Sequence, residues 1–165
     1  MLQLNAARNG QGEGVTSVWW DITRCPLPHD VDARLVGPFI RRELKKLGYC
    51  GPLTITAIGI LSEVSFDVLK DLASTGIHLR PNRLIFLAFQ VSNFKPILSS
   101  LMAWTWDNRP PANLMVISLQ QTFGTGILPC ALRELWLPVN FVLVRVMLNR
   151  LRESERLERD RRHEE

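Results

Sequence analysis

The strongest constraint on the fold of this chain is a set of continuous apolar runs, in which apolar and polar residues do not alternate. Strands that are covered on both faces have this pattern, whereas strands exposed on one face alternate. Segments with apolar residues at helical spacing lie between the runs. This order predicts an α/β fold, with a Rossmann-like parallel sheet covered by helices on both faces in three layers. The predicted strands are 15–22, 53–60, 77–79, 113–118 and 139–146, and the predicted helices are 30–47, 62–74, 96–106 and 129–137.

Several side chains have a predicted place in these elements. Asp30 can cap the first helix, whose inward side then includes Leu35. Trp19 and Trp20 are adjacent on a strand, so they point to opposite faces and are expected to pack in the core rather than stack on bases. The run 84–91 fits a strand or a buried helix, because so short an apolar run does not distinguish the two.

The composition is that of an ordinary globular domain, since 46% of the 165 residues are hydrophobic and 22% are charged. This argues against a disordered chain. The net charge of +4 is compatible with a nucleic-acid partner without requiring one. Residues 150–165 carry six arginines and six acids, which is typical of a solvated helix; an arm that touches RNA is the alternative. We expect a flexible amino terminus over 1–14, one domain over 15–147 and a charged helical tail over 148–165.

The cysteines and the apolar segments indicate the compartment. Cys25, Cys50 and Cys130 are widely spaced and form no C-x-x-C pair, so neither a disulfide framework nor a zinc site is predicted. We expect them to be buried, reduced thiols in an intracellular, cytoplasmic protein. The most hydrophobic region, 84–104, is interrupted by polar residues and falls short of a membrane span.

The carboxyl ends of the predicted strands are the expected location of a binding site. Ligands of parallel α/β sheets bind beyond these ends, where the strand order reverses. Asp21 ends the first strand, Ile60 the second, and 118–122 follow a later one. Five basic residues flank strand ends and are expected either to hold phosphates or to form a solvated rim: Arg24, Arg80, Arg83, Lys95 and Arg109.

Four segments carry a family resemblance. They read TSVWWDI at 16–22, GYCGPLTITAIG at 48–59, STGI at 74–77 and WDNRPPANLMVIS at 106–118. In this order they resemble the plant NYN domains of the limkain type, which are related to the meiosis regulator and mRNA stability factor. The resemblance implies a PIN-like ribonuclease fold and RNA cleavage by clustered aspartates that hold Mg²⁺ or Mn²⁺. It also implies a possible association with peroxisomes.

The chain departs from the acidic pattern of that family. Asp21 matches the aspartate after the first strand, but Ile60, Gln120 and Thr122 stand where the family has acids. One carboxylate holds a divalent cation poorly, because Mg²⁺ is bound through carboxylates, waters and substrate phosphate. The sequence therefore predicts a degenerate NYN protein that binds RNA or acts as a scaffold without cleavage.

Two alternatives stay open. The first is a weak metal-dependent endoribonuclease that uses Asp21 and recruits Asp107 or the carboxylate of a partner. The second is a protein-interaction module with no role in RNA binding. RNA and protein partners are both compatible with the sequence, and DNA is not an expected partner.

Overall fold

The computed structural model describes residues 6–7, 10–81, 95–109, 111–118, 139–143 and 161. The predicted helix 129–137, the ambiguous run 84–91 and nearly all of the predicted tail lie outside these residues. The elements in chain order are β1 Val15–Asp21, α1 Ala33–Lys46, β2 Leu53–Gly59, a 3₁₀ turn Leu61–Glu63, α2 Phe66–Ser74, β3 Ile77–Pro81, α3 Lys95–Asp107, β4 Ala112–Ser118 and β5 Val139–Leu143.

The strands form one parallel sheet in the order β3-β2-β1-β4-β5. The chain therefore moves outward from β1 to β3 and then crosses back to β4 on the other side of β1. Because such crossovers are right-handed, α1 and α2 cover one face of the sheet and α3 covers the other. The predicted α/β architecture is confirmed, and the strand order reverses between β1 and β4.

The buried side chains of β1 alternate between the two faces. Val18 and Trp20 belong to the apolar cluster that α1 and α2 cover, whereas Trp19 is buried outside that cluster. Both tryptophans are thus core residues on opposite faces, as predicted. Ile97 and Leu101 are buried on α3. The central strand is therefore covered on both sides, which explains its uninterrupted apolar sequence.

The first helix begins later than predicted. The N-cap residue is Asp32, whose carboxylate accepts the N–H of Arg34 at 2.9 Å. Asp30 lies in a turn closed by the N–H of Val31 and the carbonyl of Pro28, so the helical conformation begins only after it. The prediction for Leu35 is also wrong, because this side chain is 37% exposed. Leu35 precedes the buried Leu44 by nine residues, which puts it on the opposite side of the helix.

Two further predictions differ from the structure. The segment 62–74 is not one helix: the 3₁₀ turn comes first, and Ser65 then caps α2 by accepting the N–H of Val68. Cys25 is buried as expected, but Cys50 is exposed. Cys50 lies in the turn before β2, where its N–H donates to the carbonyl of Gly12 at 2.7 Å. Cys130 lies outside the described residues. Within the described part of the chain, no helix is long and apolar enough to cross a membrane.

Candidate functional site

The candidate site lies at the carboxyl edge of the sheet, at the last residue of its central strand. Asp21 pairs in register with Ile58 of β2, and Ile58 pairs with Arg80 of β3. On the other side Trp20 pairs with Ile117, so Ser118 follows next to Asp21. In-register neighbours in a parallel sheet point to the same face. Arg80, Asp21 and Ser118 therefore share one face at the point where the strand order reverses, the usual position of a binding crevice.

The carboxylate of Asp21 is enclosed by its own turn and by β4. The side chain is only 3% exposed. Oδ1 accepts the backbone N–H of Arg24 at 3.1 Å, and Oδ2 accepts the hydroxyl of Ser118 at 3.5 Å. The N–H of Cys25 donates to the backbone carbonyl of Asp21 at 2.9 Å and closes the turn. Aspartate is suited to such a turn because its short side chain can accept a nearby backbone N–H.

Burial dominates the electrostatics of this cluster. Removal from water raises the pKa of Asp21, although the N–H and charge of Arg24 and the hydroxyl of Ser118 act in the opposite direction. Burial, together with the neighbouring negative charge of Asp21, raises the pKa of the Cys25 thiol to about 12. A thiol with this pKa stays protonated at neutral pH, so Cys25 is not a nucleophile.

Arg24 supplies the positive charge beside Asp21. Its Nη1 atom lies 3.7 Å from Oδ2 of Asp21, too far for a hydrogen bond but within ion-pair distance. Nη1 is itself buried and has no hydrogen-bond partner among the described residues. The side chain as a whole is nevertheless 23% exposed, so its exposed surface belongs to its other atoms. Nη1 is therefore the part of the Arg24 side chain that is withdrawn from solvent beside Asp21.

A second arginine lies on the same face, over Trp19. The guanidinium carbon of Arg80 is 5.8 Å from the centroid of the indole ring, a distance typical of a cation–π contact. Nε1 of Trp19 is buried and unpartnered within the described part of the structure. Because Trp19 precedes Asp21 by two residues on β1, both side chains point to the α3 face.

The end of β2 is tied to the turn that follows β1. The backbone N–H of Ile60 donates to Oγ1 of Thr23 at 2.7 Å, and Ile60 itself is half-buried. Gly59 is close enough to Thr23 that an added Cβ would collide with Oγ1. Ile60 therefore lies at the same edge as Asp21 and presents an aliphatic side chain there.

The remaining predicted site residues have different positions. Gln120, Thr122 and Arg83 lie outside the described residues, and of Lys95 only the backbone, at the start of α3, is described. Arg109 is exposed and precedes β4, which places it at the amino edge of the sheet. One seven-residue strand, about 20 Å, separates that edge from Asp21. Of the five basic residues expected to hold phosphates or to form a solvated rim, Arg109 therefore does not lie at the crevice.

Two contacts of the site were not predicted from the sequence. Ser118 ends β4 and could be assigned to Asp21 only once the order and register of the strands were known. The contact between Arg80 and Trp19 depends on the same register across β2. The role of Thr23 was not predicted either, although its position two residues after Asp21 is a signal that could have indicated it.

The described side chains around Asp21 do not supply the set of oxygen ligands that Mg²⁺ or Mn²⁺ prefers in proteins. Among the described residues no group of three or more His, Cys, Asp or Glu side chains is close enough to hold a metal ion. The sequence also contains no Asp or Glu in 72–106 or in 108–133, the stretches on either side of Asp107. Both oxygens of Asp21 already accept hydrogen bonds from Arg24 and Ser118.

A parallel α/β sheet with an acidic residue at its switch point is the layout of the PIN-like ribonuclease folds. Comparison with protein families finds a match to the NYN domain over residues 15–154. The chain belongs to the NYN domain family, which has a ribonuclease-like fold that acts on RNA. A search of the curated proteins finds no match.

Proposed function

We propose that this NYN domain binds RNA at the carboxyl edge of its sheet without cleaving it, as a degenerate member of the limkain type found in plants. The observation that carries the proposal is the setting of Asp21: its carboxylate faces the guanidinium of Arg24 instead of a second carboxylate. The compartment proposed with this function is the cytoplasm, and no feature of the described residues supports a peroxisomal association.

The absence of cleavage follows from the chemistry of phosphodiester hydrolysis. A metal in such a site generates the nucleophile and neutralises the charge that develops on the phosphate. Ile60 offers an aliphatic side chain at the position where the resemblance implies an acid. Gln120 and Thr122 could offer only neutral oxygens. The carboxylate of Asp21 would then be the single charged ligand of a divalent cation, which it would hold poorly.

Affinity for RNA is supported by the charge of the sequence that follows two of the strands. Residues 82–94 and 119–133 come after β3 and β4 in the chain, and each segment contains one arginine and no acid. Arg80 is exposed on the face of Asp21. Arginine is the usual partner of phosphate oxygens, and phosphate contacts position a protein on RNA without reading its sequence. We therefore expect binding that depends more on backbone charge than on base sequence.

The test measures binding and cleavage of a fluorescently labelled single-stranded RNA. We expect an affinity that falls steeply between about 50 mM and about 200 mM salt, because phosphate contacts release counterions. We also expect no cleavage products with Mg²⁺ or Mn²⁺. Metal-dependent cleavage that Asp21→Asn abolishes would instead establish the weak endoribonuclease.

A protein-interaction module is the second candidate, and exposed aromatic residues favour it. Phe66 at the start of α2 is 78% exposed and Trp106 near the end of α3 is 77% exposed. Large aromatic side chains are enriched where proteins bind one another. Absence of RNA binding at low salt, with a correctly folded protein, would favour this function over the first.

A further inference from the structure

We infer that Arg24 is the resident cation of this site: its guanidinium compensates Asp21 where a ribonuclease of this fold would place a metal, and its outward N–H groups bind an RNA phosphate without any metal. The inference rests on the proposed RNA binding and names the group that performs it. The ligand is the phosphate diester of the RNA backbone.

The first step is that one residue engages both oxygens of the carboxylate. The backbone N–H of Arg24 donates to Oδ1, and its Nη1 lies 3.7 Å from Oδ2. Asp21 and Arg24 are three residues apart in the same turn, so the conformation of this turn places the guanidinium beside the carboxylate. Ser118 donates its hydroxyl to Oδ2 as well. A metal ion would have to displace these groups before it could bind.

The second step concerns charge. Asp21 and Arg24 compensate each other, so the pair presents no net negative charge to a divalent cation. A cation bound at Oδ2 would also lie close to a guanidinium that is itself within 4 Å of the same oxygen. The site therefore opposes metal binding through a positive charge as well as through a shortage of ligands.

The third step is the orientation of the guanidinium. Nη1 is buried towards Asp21, and the exposed part of the side chain belongs to its other atoms. A guanidinium has five N–H donors in a planar fork, of which those on the outer side can bind phosphate oxygens in pairs. Arg24 would thus bridge carboxylate and phosphate, the arrangement that a metal ion provides in an active enzyme. Arg80 on the same face adds a positive charge that forms no ion pair with a described carboxylate.

The main experiment compares RNA binding by the full chain and by Arg24→Ala, Arg24→Lys and Arg34→Ala. Arg34→Ala is the matched control, because Arg34 also pairs with a nearby aspartate, Asp32, but lies on the exposed side of α1. We expect the wild type to bind RNA in EDTA at least as tightly as in Mg²⁺, because Mg²⁺ competes with the protein for the phosphates. We expect Arg24→Ala to weaken binding about tenfold and to reduce the salt slope by about 0.7, the value for one phosphate of a single strand. Arg24→Lys should recover part of the affinity.

Two results would overturn the inference: RNA binding by the wild type that requires Mg²⁺, or an affinity of Arg24→Ala equal to that of Arg34→Ala. Circular dichroism and the melting temperature establish whether each variant is folded. If Arg24→Ala is not folded, the affinity of Arg24→Lys is compared with that of Arg34→Ala instead.

A second readout does not depend on RNA. Titration with Mn²⁺, followed by electron paramagnetic resonance, compares the wild type with Asp21→Asn. We expect the two proteins to bind the same amount of Mn²⁺, because no ion is bound at Asp21. An ion that binds the wild type and not Asp21→Asn would contradict the role of Arg24 even if RNA binds. If RNA does not bind at all, the proposed function fails. The Mn²⁺ titration then still decides whether Arg24 has taken the place of a metal beside Asp21.

Discussion

Asp21 is a charged residue in a setting that disfavours its charge. Its pKa is raised because burial outweighs the hydrogen bonds and the positive charge that Arg24 and Ser118 provide. A group of this kind lowers the stability of the folded state at neutral pH, since the ionised form is better solvated in the unfolded chain. Perturbed carboxylates in a crevice are concentrated at functional sites. The position of Asp21 at the switch point agrees with that tendency.

The raised pKa predicts how the stability of the Asp21→Asn variant compares with that of the wild type as pH changes. The folded pKa of Asp21 lies above its ordinary value of 3.8, so the folded state binds this proton more strongly than the unfolded state. The free energy of unfolding of the wild type, minus that of Asp21→Asn, should therefore rise as pH falls from about 7 to about 4. Urea unfolding at several pH values measures the difference. A difference that falls over this range would contradict the pKa direction.

At this scale the sequence predicted some site residues and not others. Asp21 was predictable because an acid ends an uninterrupted apolar run, and Arg24 follows it within one turn. Ser118 was not, because its contact depends on the register between two strands that are far apart in the chain. Arg109 was misplaced although the sequence allowed its correct position. It precedes β4, and in a parallel sheet the residues before a strand lie at the amino edge, opposite to the end of β1.

The elements of the sheet were more predictable than the ends of the helices. Buried strands have a continuous apolar sequence, so β1, β2 and β4 agree with the prediction to within one residue at each end. Helix starts depend on which of several polar residues forms the cap. Asp30 and Asp32 are equally suitable by type, and the turn at Pro28–Val31 decides between them.

The choice of cap gives a prediction for α1. Asp32→Ala should lower the free energy of unfolding by about 0.5–2 kcal/mol, because the N–H of Arg34 loses its acceptor. For a chain of this size each 1 kcal/mol lowers the melting temperature by about 2–4 °C. Thermal denaturation followed by circular dichroism measures the change.

Asp30→Ala is the control for that measurement and should have a smaller effect; an equal or larger effect would show that the cap assignment is incorrect. The side-chain hydrogen bond from Arg34 holds the pKa of Asp32 below its ordinary value of 3.8. The contribution of this cap is therefore present above that value and is lost as pH falls below it.

The positive charge of the whole molecule is distributed unevenly along its sequence. Between residues 72 and 133 there are five Lys or Arg and a single acid, Asp107. Helix α1 carries a further five Lys or Arg and one Glu. Most acids therefore lie elsewhere in the sequence. Residues 150–165 contain six of them, together with six arginines. This charge distribution favours the attraction of a polyanion to residues before 150 rather than to the charge-balanced residues 150–165.

The carboxyl-terminal end gives the prediction that concerns the whole chain. The family match ends at residue 154, and beyond it Leu157 is the last apolar residue. We expect a helix that packs through Leu148 and Leu151 and is solvated beyond about residue 156, because a stripe of so few apolar residues cannot cover its length. Glu–Arg pairs four residues apart add only a few tenths of a kcal/mol each, about 0.2–0.5, less than the cost of ordering the chain.

Deletion of 157–165 should therefore leave the melting temperature nearly unchanged, whereas deletion of 148–165 should lower it by several degrees, since it also removes Leu148 and Leu151. Differential scanning calorimetry of the two truncated chains makes the comparison. RNA affinity should be the same after the shorter deletion, because the removed residues carry nearly balanced charge. A large loss of stability after the shorter deletion, or a selective loss of RNA or protein binding, would instead identify residues 157–165 as an interface, with their arginines as the contact residues.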